Sequence, residues 1–189
     1  MRVSNINQLI RARRSVYPKQ FTDQPISNEI IHELLVNANH APTHRLTEPW
    51  RFKVFTGNGK KKLGAFLASK YKETALAYNE SKYQKTLQNP QKAGAVLAII
   101  LHRDPQERVP EWEEYAAVAC AVQNIWLALS QYGLGGYWST PGYAAHLGEL
   151  TPLKENEKCI GLFYLGYCEP SDKVILKGPI ENKVDWIEE

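Results

Sequence analysis

The sequence predicts a mixed fold, α/β or α+β, with a sheet of about four or five strands and helices on its faces. Three observations carry this. The apolar run from Ala93 to Leu101 reads as a strand buried on both faces. The segment from Glu111 to Tyr132 repeats Ala117, Ala121, Asn124 and Ile125 at helical spacing, with small residues that allow close packing. The run from Cys159 to Cys168 is apolar again and short enough for a strand.

The remaining elements follow in order. Ser4 can cap a helix that buries Ile6, Leu9 and Ile10 and runs out near Arg13 and Arg14. Pro18 and Pro25 favour extended backbone before them. Ser27 caps a second helix with Ile30, Ile31, Leu34, Leu35 and Ala38 buried, and Pro42 ends it. Arg51 to Thr56 alternates as a strand, with Phe52 and Val54 on one face. Gly57-Asn58-Gly59 reads as a turn, and a charged helical region then runs from Lys61 to Leu87 until Asn89-Pro90 breaks it. Gly133 suits the position just past the Glu111 helix. Gly136 to Thr140 reads as a short strand stopped by Pro141-Gly142, and Ala144 to Glu149 as a short helix. The tail from Glu169 reads as extended and polar.

The 189 residues fit one domain spanning 1–189. A net charge of +3 is too small to require a polyanionic partner. Lys60-Lys61-Lys62 and Arg11 to Arg14 come with no reading helix or aromatic platform, so no nucleic-acid partner is expected. No stretch approaches the roughly 20 apolar residues of a membrane span, and the first residues lack a signal peptide's apolar stretch. Cys120, Cys159 and Cys168 match no metal spacing and are expected as buried thiols in a reducing, cytoplasmic setting.

Several motifs offer binding chemistry beside a structural role. Arg13-Arg14-Ser15 places two cations and a hydroxyl within one turn, which suits a phosphate. The same cations would also complement a helix C-terminus. Ala41-Pro42 to Pro49-Trp50 is a proline-bounded, stiff loop that could present His40 and His44 in fixed directions, or serve only as a connector. The two histidines are four apart, but Pro42 lies between them and no third ligand is near, so no metal site is expected. Gly135-Gly136-Tyr137-Trp138-Ser139-Thr140-Pro141-Gly142 offers glycines for close approach of a flat ligand, with Trp138, Ser139 and Thr140 as an aromatic face and two hydroxyls. A strand with a buried Trp138 is the simpler alternative. Neither Gly57-Asn58-Gly59 nor Gly133-Leu134-Gly135-Gly136 completes a dinucleotide fingerprint. Trp112-Glu113-Glu114-Tyr115 is explained by acids at a helix N-terminus.

Taken in order, these pieces resemble the nitroreductase family of flavin enzymes over nearly the whole chain, closest to its short bacterial members. The series is Arg-Arg-Ser, Ala-Pro to Pro-Trp, an apolar strand, a small-residue helix, Gly-Leu-Gly-Gly-Tyr-Trp, Leu165-Gly166-Tyr167 and a basic tail at Lys177. The resemblance implies a three-layer α+β fold with a mostly antiparallel sheet, and a homodimer with two FMN sites at the subunit interface. It assigns Arg13, Arg14 and Ser15 to the phosphate and ribityl chain, with Lys177 joining them from the tail. It brings His40 and His44 to the flavin from the partner subunit and sets Trp138, Ser139 and Thr140 along the ring. NADH or NADPH would be the reductant, and a small nitro-aromatic or quinone-like molecule the acceptor. The cofactor carries the reaction, so no catalytic acid or base is assigned. The chain departs from many members at Leu46, where they have Asn, and at Glu48, where they have Gln. A flavin dehydrogenase with another acceptor, or a non-catalytic flavin-binding protein, remains an alternative.

Overall fold

The computed structural model describes residues 6–169 and 176–188. Among the described residues four strands form one sheet: β1 (Trp50–Phe55), β2 (Ala95–His102), β3 (Leu134–Ser139) and β4 (Glu157–Tyr167), in the order β1-β2-β4-β3. Every pairing between these four strands is antiparallel, which decides between the two predicted classes in favour of α+β. It also removes the parallel frame a dinucleotide fold requires.

β2 is the centre because both of its faces are apolar. Ala95, Leu97, Ile99 and Leu101 point to one face, where α2 (Asn28–Asn39) and α5 (Glu111–Ala128) pack. Val96, Ala98 and Ile100 point to the other, under α3 (Gly57–Thr74) and a 3₁₀ segment, Gly142–Glu149. Three layers result. The pairing of β2 with β4 shifts between Ile99 and Ile100, opposite Gly161 and Cys159, so Ile160 bulges out of the ladder.

Several expectations change. Gly57-Asn58-Gly59 begins α3, with Gly57 at φ 46°, a value glycine takes without strain. The charged region is two helices, α3 and α4 (Glu80–Lys92), and its break falls at 75–79. Tyr71 closes that break, because its hydroxyl accepts from the Asn79 N–H at 2.9 Å. Pro90 lies inside the last turn of α4, where it gives up one backbone hydrogen bond but has no further turn to kink, and it is buried against α3 near Gly64. A methyl on Gly64 would meet the Leu87 carbonyl oxygen at 2.3 Å, so glycine sets how closely α3 and α4 approach.

At the ends, α1 (Ile6–Ala12) buries no residue fully, and Ile6 and Ile10 are exposed; Ser4 lies outside the described residues. Residues 176–188 are exposed throughout, with one 3₁₀ turn at Ile180–Lys183. The tail is less polar than expected, since Leu176, Ile180, Trp186 and Ile187 all face solvent in the single chain. On β1, Phe52 is half-buried and Val54 exposed, as an edge strand permits. Cys159 is buried and Cys168 half-buried, but Cys120 is exposed on α5; all three are free thiols. Burial raises the pKa of Cys159 and Cys168, so neither is a ready thiolate.

Candidate functional site

The segment after α1 is laid against β3. Ser15 pairs with Gly136, and the Val16 N–H donates to the Gly136 carbonyl at 3.0 Å. Gly135 makes this contact possible, and Gly136 a close approach to β4. A methyl at Gly135 would sit 2.7 Å from Val16 Cβ and from Cys168 Sγ. One at Gly136 would sit 2.7 Å from the Tyr164 carbonyl oxygen. These glycines, read from sequence as room for a flat ligand, instead admit the chain's own neighbours: Gly135 the segment at Val16, and Gly136 the Tyr164 backbone, Phe163 and Leu129. Gly142 alone of the motif's flanking glycines faces open space, with nothing within 4 Å of an added methyl.

The two arginines do different work. Arg14 curls back, its Nη1 donating to the carbonyls of Arg11 at 2.6 Å and Arg13 at 3.0 Å, at the end of α1. That is the helix-end role. Arg13 lies over the indole of Trp126 in α5, its guanidinium carbon 4.5 Å from the ring centroid. Its Nη1 is buried and has no hydrogen-bond partner. Burial, and secondarily the charge of Arg14, pull its pKa down from the usual guanidinium value. The group nevertheless stays cationic. A buried cationic N–H without an acceptor costs free energy that an anionic group would recover. A cavity of about 210 Å³ opens here, lined among others by Arg13, Trp126, Ser130, Gly135 and Cys168.

Farther along β3 come Trp138, Ser139 and then Thr140. From Gly136 to Ser139 is about 10 Å of strand. Trp138 is half-buried at the edge of the core, with its Nε1 buried and without a partner. The indole lies over Gly161, where an added methyl would be 2.2 Å from Nε1. Ser139 is half-buried and Thr140 exposed.

His40 and His44 occupy another place. His40 ends α2, and His44 begins a 3₁₀ turn, His44–Leu46. His44 Nδ1 lies 2.7 Å from Glu113 Oε2 in the first turn of α5. The loop is tightly made. Thr43 Oγ1 meets Thr47 Oγ1 at 3.1 Å and accepts from the Glu48 N–H at 3.2 Å, while the Trp50 indole N–H donates to Asn39 Oδ1. Arg45, Leu46 and Glu48 all have positive φ, at 52°, 54° and 42°. Asn suits that region far better than Leu, so the departure at Leu46 is one of backbone conformation as well as side-chain chemistry. Three such residues in one exposed loop carry a backbone cost that the hydrogen bonds around Thr43 help to hold.

Thus one chain brings Arg13, Arg14 and Ser15 to the strand that carries Trp138, Ser139 and Thr140, and brings His40 to His44. It does not bring the two groups together. Glu113 beside His44 and Trp126 beneath Arg13 are separated along α5 by about 20 Å. Lys177 is exposed on the tail and makes no hydrogen bond or ion pair among the described residues. No sequence motif singles out Trp126, Glu113 or Gly161 as a site residue. Their roles depend on contacts between distant segments, and no local pattern announces them. No cluster of three His, Cys, Asp or Glu able to hold a metal occurs among the described residues, and no helix there is long and apolar enough to cross a membrane.

A family model described as Nitroreductase family matches residues 10–167. The chain belongs to the nitroreductase family. It is 28% identical over 183 residues to the Bacillus subtilis (strain 168) protein named "Putative NAD(P)H nitroreductase YfhC", covering 95% of this chain and 93% of that one. A crystal structure of a nitroreductase-like family protein from Bacillus cereus superposes with a TM-score of 0.83 at 27% identity, covering 100% of this chain and 99% of the other. The FMN-dependent nitroreductase NfnB from Mycobacterium smegmatis, solved in complex with NADPH, shares the fold, with a TM-score of 0.79 at 16% identity over 97% of this chain and 98% of its own.

Proposed function

We propose that this chain is an FMN-dependent oxidoreductase that works as a homodimer, taking electrons from NADH or NADPH and passing them to a small nitro-aromatic or quinone-like acceptor. One observation carries the cofactor assignment: the guanidinium of Arg13, buried on Trp126 with Nη1 lacking an acceptor, beside Ser15 and the strand that leads to Trp138. Family membership and the FMN-dependent relative of the same fold support it. The residues present fit the group. Arg13 and the Ser15 hydroxyl would hold the phosphate, with Arg14 shaping the turn and Lys177 adding charge from the tail. Trp138, Ser139 and Thr140 would flank the ring.

His40 and His44 would come from a second copy, because their own chain places them at the far end of α5. The exposed Trp112 and Tyr115 of α5, with the apolar tail, are surfaces a second copy would cover. When bound, FMN supplies the two-electron chemistry that the side chains lack. The protein's part is to anchor, orient and tune. Reductant and acceptor would use one opening in turn, which gives ping-pong kinetics.

The test is spectroscopic. The purified protein, supplied with FMN, should show flavin absorption bands that bleach with NADH or NADPH. A preparation that gains no bands sinks the reading. Arg13→Ala should weaken FMN about tenfold or more, because a charge-assisted contact contributes roughly 1.5–3 kcal/mol, and should leave riboflavin binding unchanged. Equal FMN affinity in the variant would overturn the phosphate assignment.

A further inference from the structure

Trp126 touches both arginines of the dibasic turn. Its ring face carries the Arg13 guanidinium at 4.5 Å, and its indole N–H donates to the Arg14 carbonyl at 3.2 Å. The indole is held in turn by Phe163 of β4, edge-on at 5.3 Å between centroids. Phe163 pairs across the sheet with Trp138. A long arginine side chain normally samples many rotamers, and ordering it costs entropy. Here the cation sits over an aromatic ring, and the backbone beside it is tied by the same indole.

We propose that Trp126 is the positioning residue for phosphate recognition: it presents Arg13 in one orientation and so sets how strongly the site prefers a flavin mononucleotide to the same flavin without phosphate. This rests on the reading of Arg13 above. Trp126 does not touch the phosphate; it acts through Arg13. Its two contacts separate the effects of substitution. Phenylalanine keeps an aromatic face for Arg13 and loses only the N–H to Arg14. Leucine loses both.

The experiment compares FMN and riboflavin affinities by flavin fluorescence in the wild-type protein, Trp126→Leu, Trp126→Phe, Arg13→Ala and the Trp126→Leu/Arg13→Ala double variant, with thermal melts of each. Trp126→Leu should weaken FMN about tenfold, the reach of a partly desolvated cation–π contact, while riboflavin stays within about twofold. Trp126→Phe should recover most of the loss. The double variant should lose no more FMN affinity than Arg13→Ala alone, since the indole acts through the arginine.

Three results would overturn the proposal. One is FMN and riboflavin weakening together in Trp126→Leu, which marks a merely structural role. The second is no change in either, and the third is additive losses in the double variant. If Arg13→Ala removes the FMN preference and Trp126→Leu does not, only this inference fails. If the wild-type protein does not distinguish FMN from riboflavin, the phosphate reading itself fails.

Discussion

Gly161→Ala tests how Trp138 is placed. The added methyl would sit 2.2 Å from Trp138 Nε1, 3.0 Å from Trp138 Cδ1 and 2.9 Å from the Ser139 carbonyl oxygen. The last of these is backbone, fixed by the pairing of Ser139 with Leu162. The strand cannot retreat without breaking that ladder, so the indole must swing outward. Overpacking of this kind costs about 1–3 kcal/mol, and loss of burial for a large aromatic, with the backbone strain of a side chain at Gly161's φ of 155°, puts the value in the upper half of that range. For a chain of 189 residues, the fall in Tm is then roughly 4–12 °C.

The displaced indole would intrude on the ring side of the proposed flavin site. FMN and riboflavin should therefore weaken together, in contrast to the phosphate-selective loss expected at Arg13. The assay is urea denaturation followed by tryptophan fluorescence, paired with flavin titration. Gly142→Ala is the control: nothing lies within 4 Å of its added methyl, so stability should stay within about 0.5 kcal/mol. A Gly161→Ala protein as stable as wild type, with both flavins bound normally, would refute the claim that this glycine holds Trp138 in place.

Three other outcomes follow from the same geometry. Glu114 is almost fully buried and accepts from Arg103 Nη1 at 2.6 Å and from the Asp104 N–H at 3.0 Å, so Glu114→Ala should destabilise by about 3 kcal/mol in urea titration. The Asp104 carboxylate is held down at about 2, chiefly by its hydrogen bond from Arg108. Its stabilising contribution is complete above the unfolded value of about 4 and is lost as pH falls from there toward 2, so Asp104→Asn should flatten the decline measured between pH 5 and 3. Mixing Arg13→Ala with His44→Ala subunits should restore about a quarter of wild-type sites if each site draws on two chains, because half of the re-formed dimers are mixed and each of those has one intact site; no recovery would place both residues in one subunit's site.

The layers were legible because they rest on short-range rules. An apolar run of strand length had to be central, and β2 is buried on both faces. The spacing of Ile31, Leu34 and Ala38 had to make one face of α2 a core face. The sequence also carried the dibasic turn and the strand from Gly136 onward as binding motifs. It could not separate Arg13 from Arg14, since adjacent residues with equal charge differ only in what lies across from them. Trp126, more than a hundred residues away, decides that. Nor could it say what the Gly135-Gly136 pair accommodates, because a glycine records a close approach without naming the neighbour. The break between α3 and α4 falls away from the proline for a related reason. Proline is a strong local signal, but after Pro90 α4 has no further turn to break, while the Tyr71 hydroxyl closes the true bend.

What the amino-acid order settled alone is therefore the alternation of elements, the family, and which segments carry charge and hydroxyls. The different contacts of the two arginines, the neighbours that the glycine pair admits and the true break between α3 and α4 came only with folding. These depend mostly on contacts between segments far apart in the chain, whose energies no local spacing encodes.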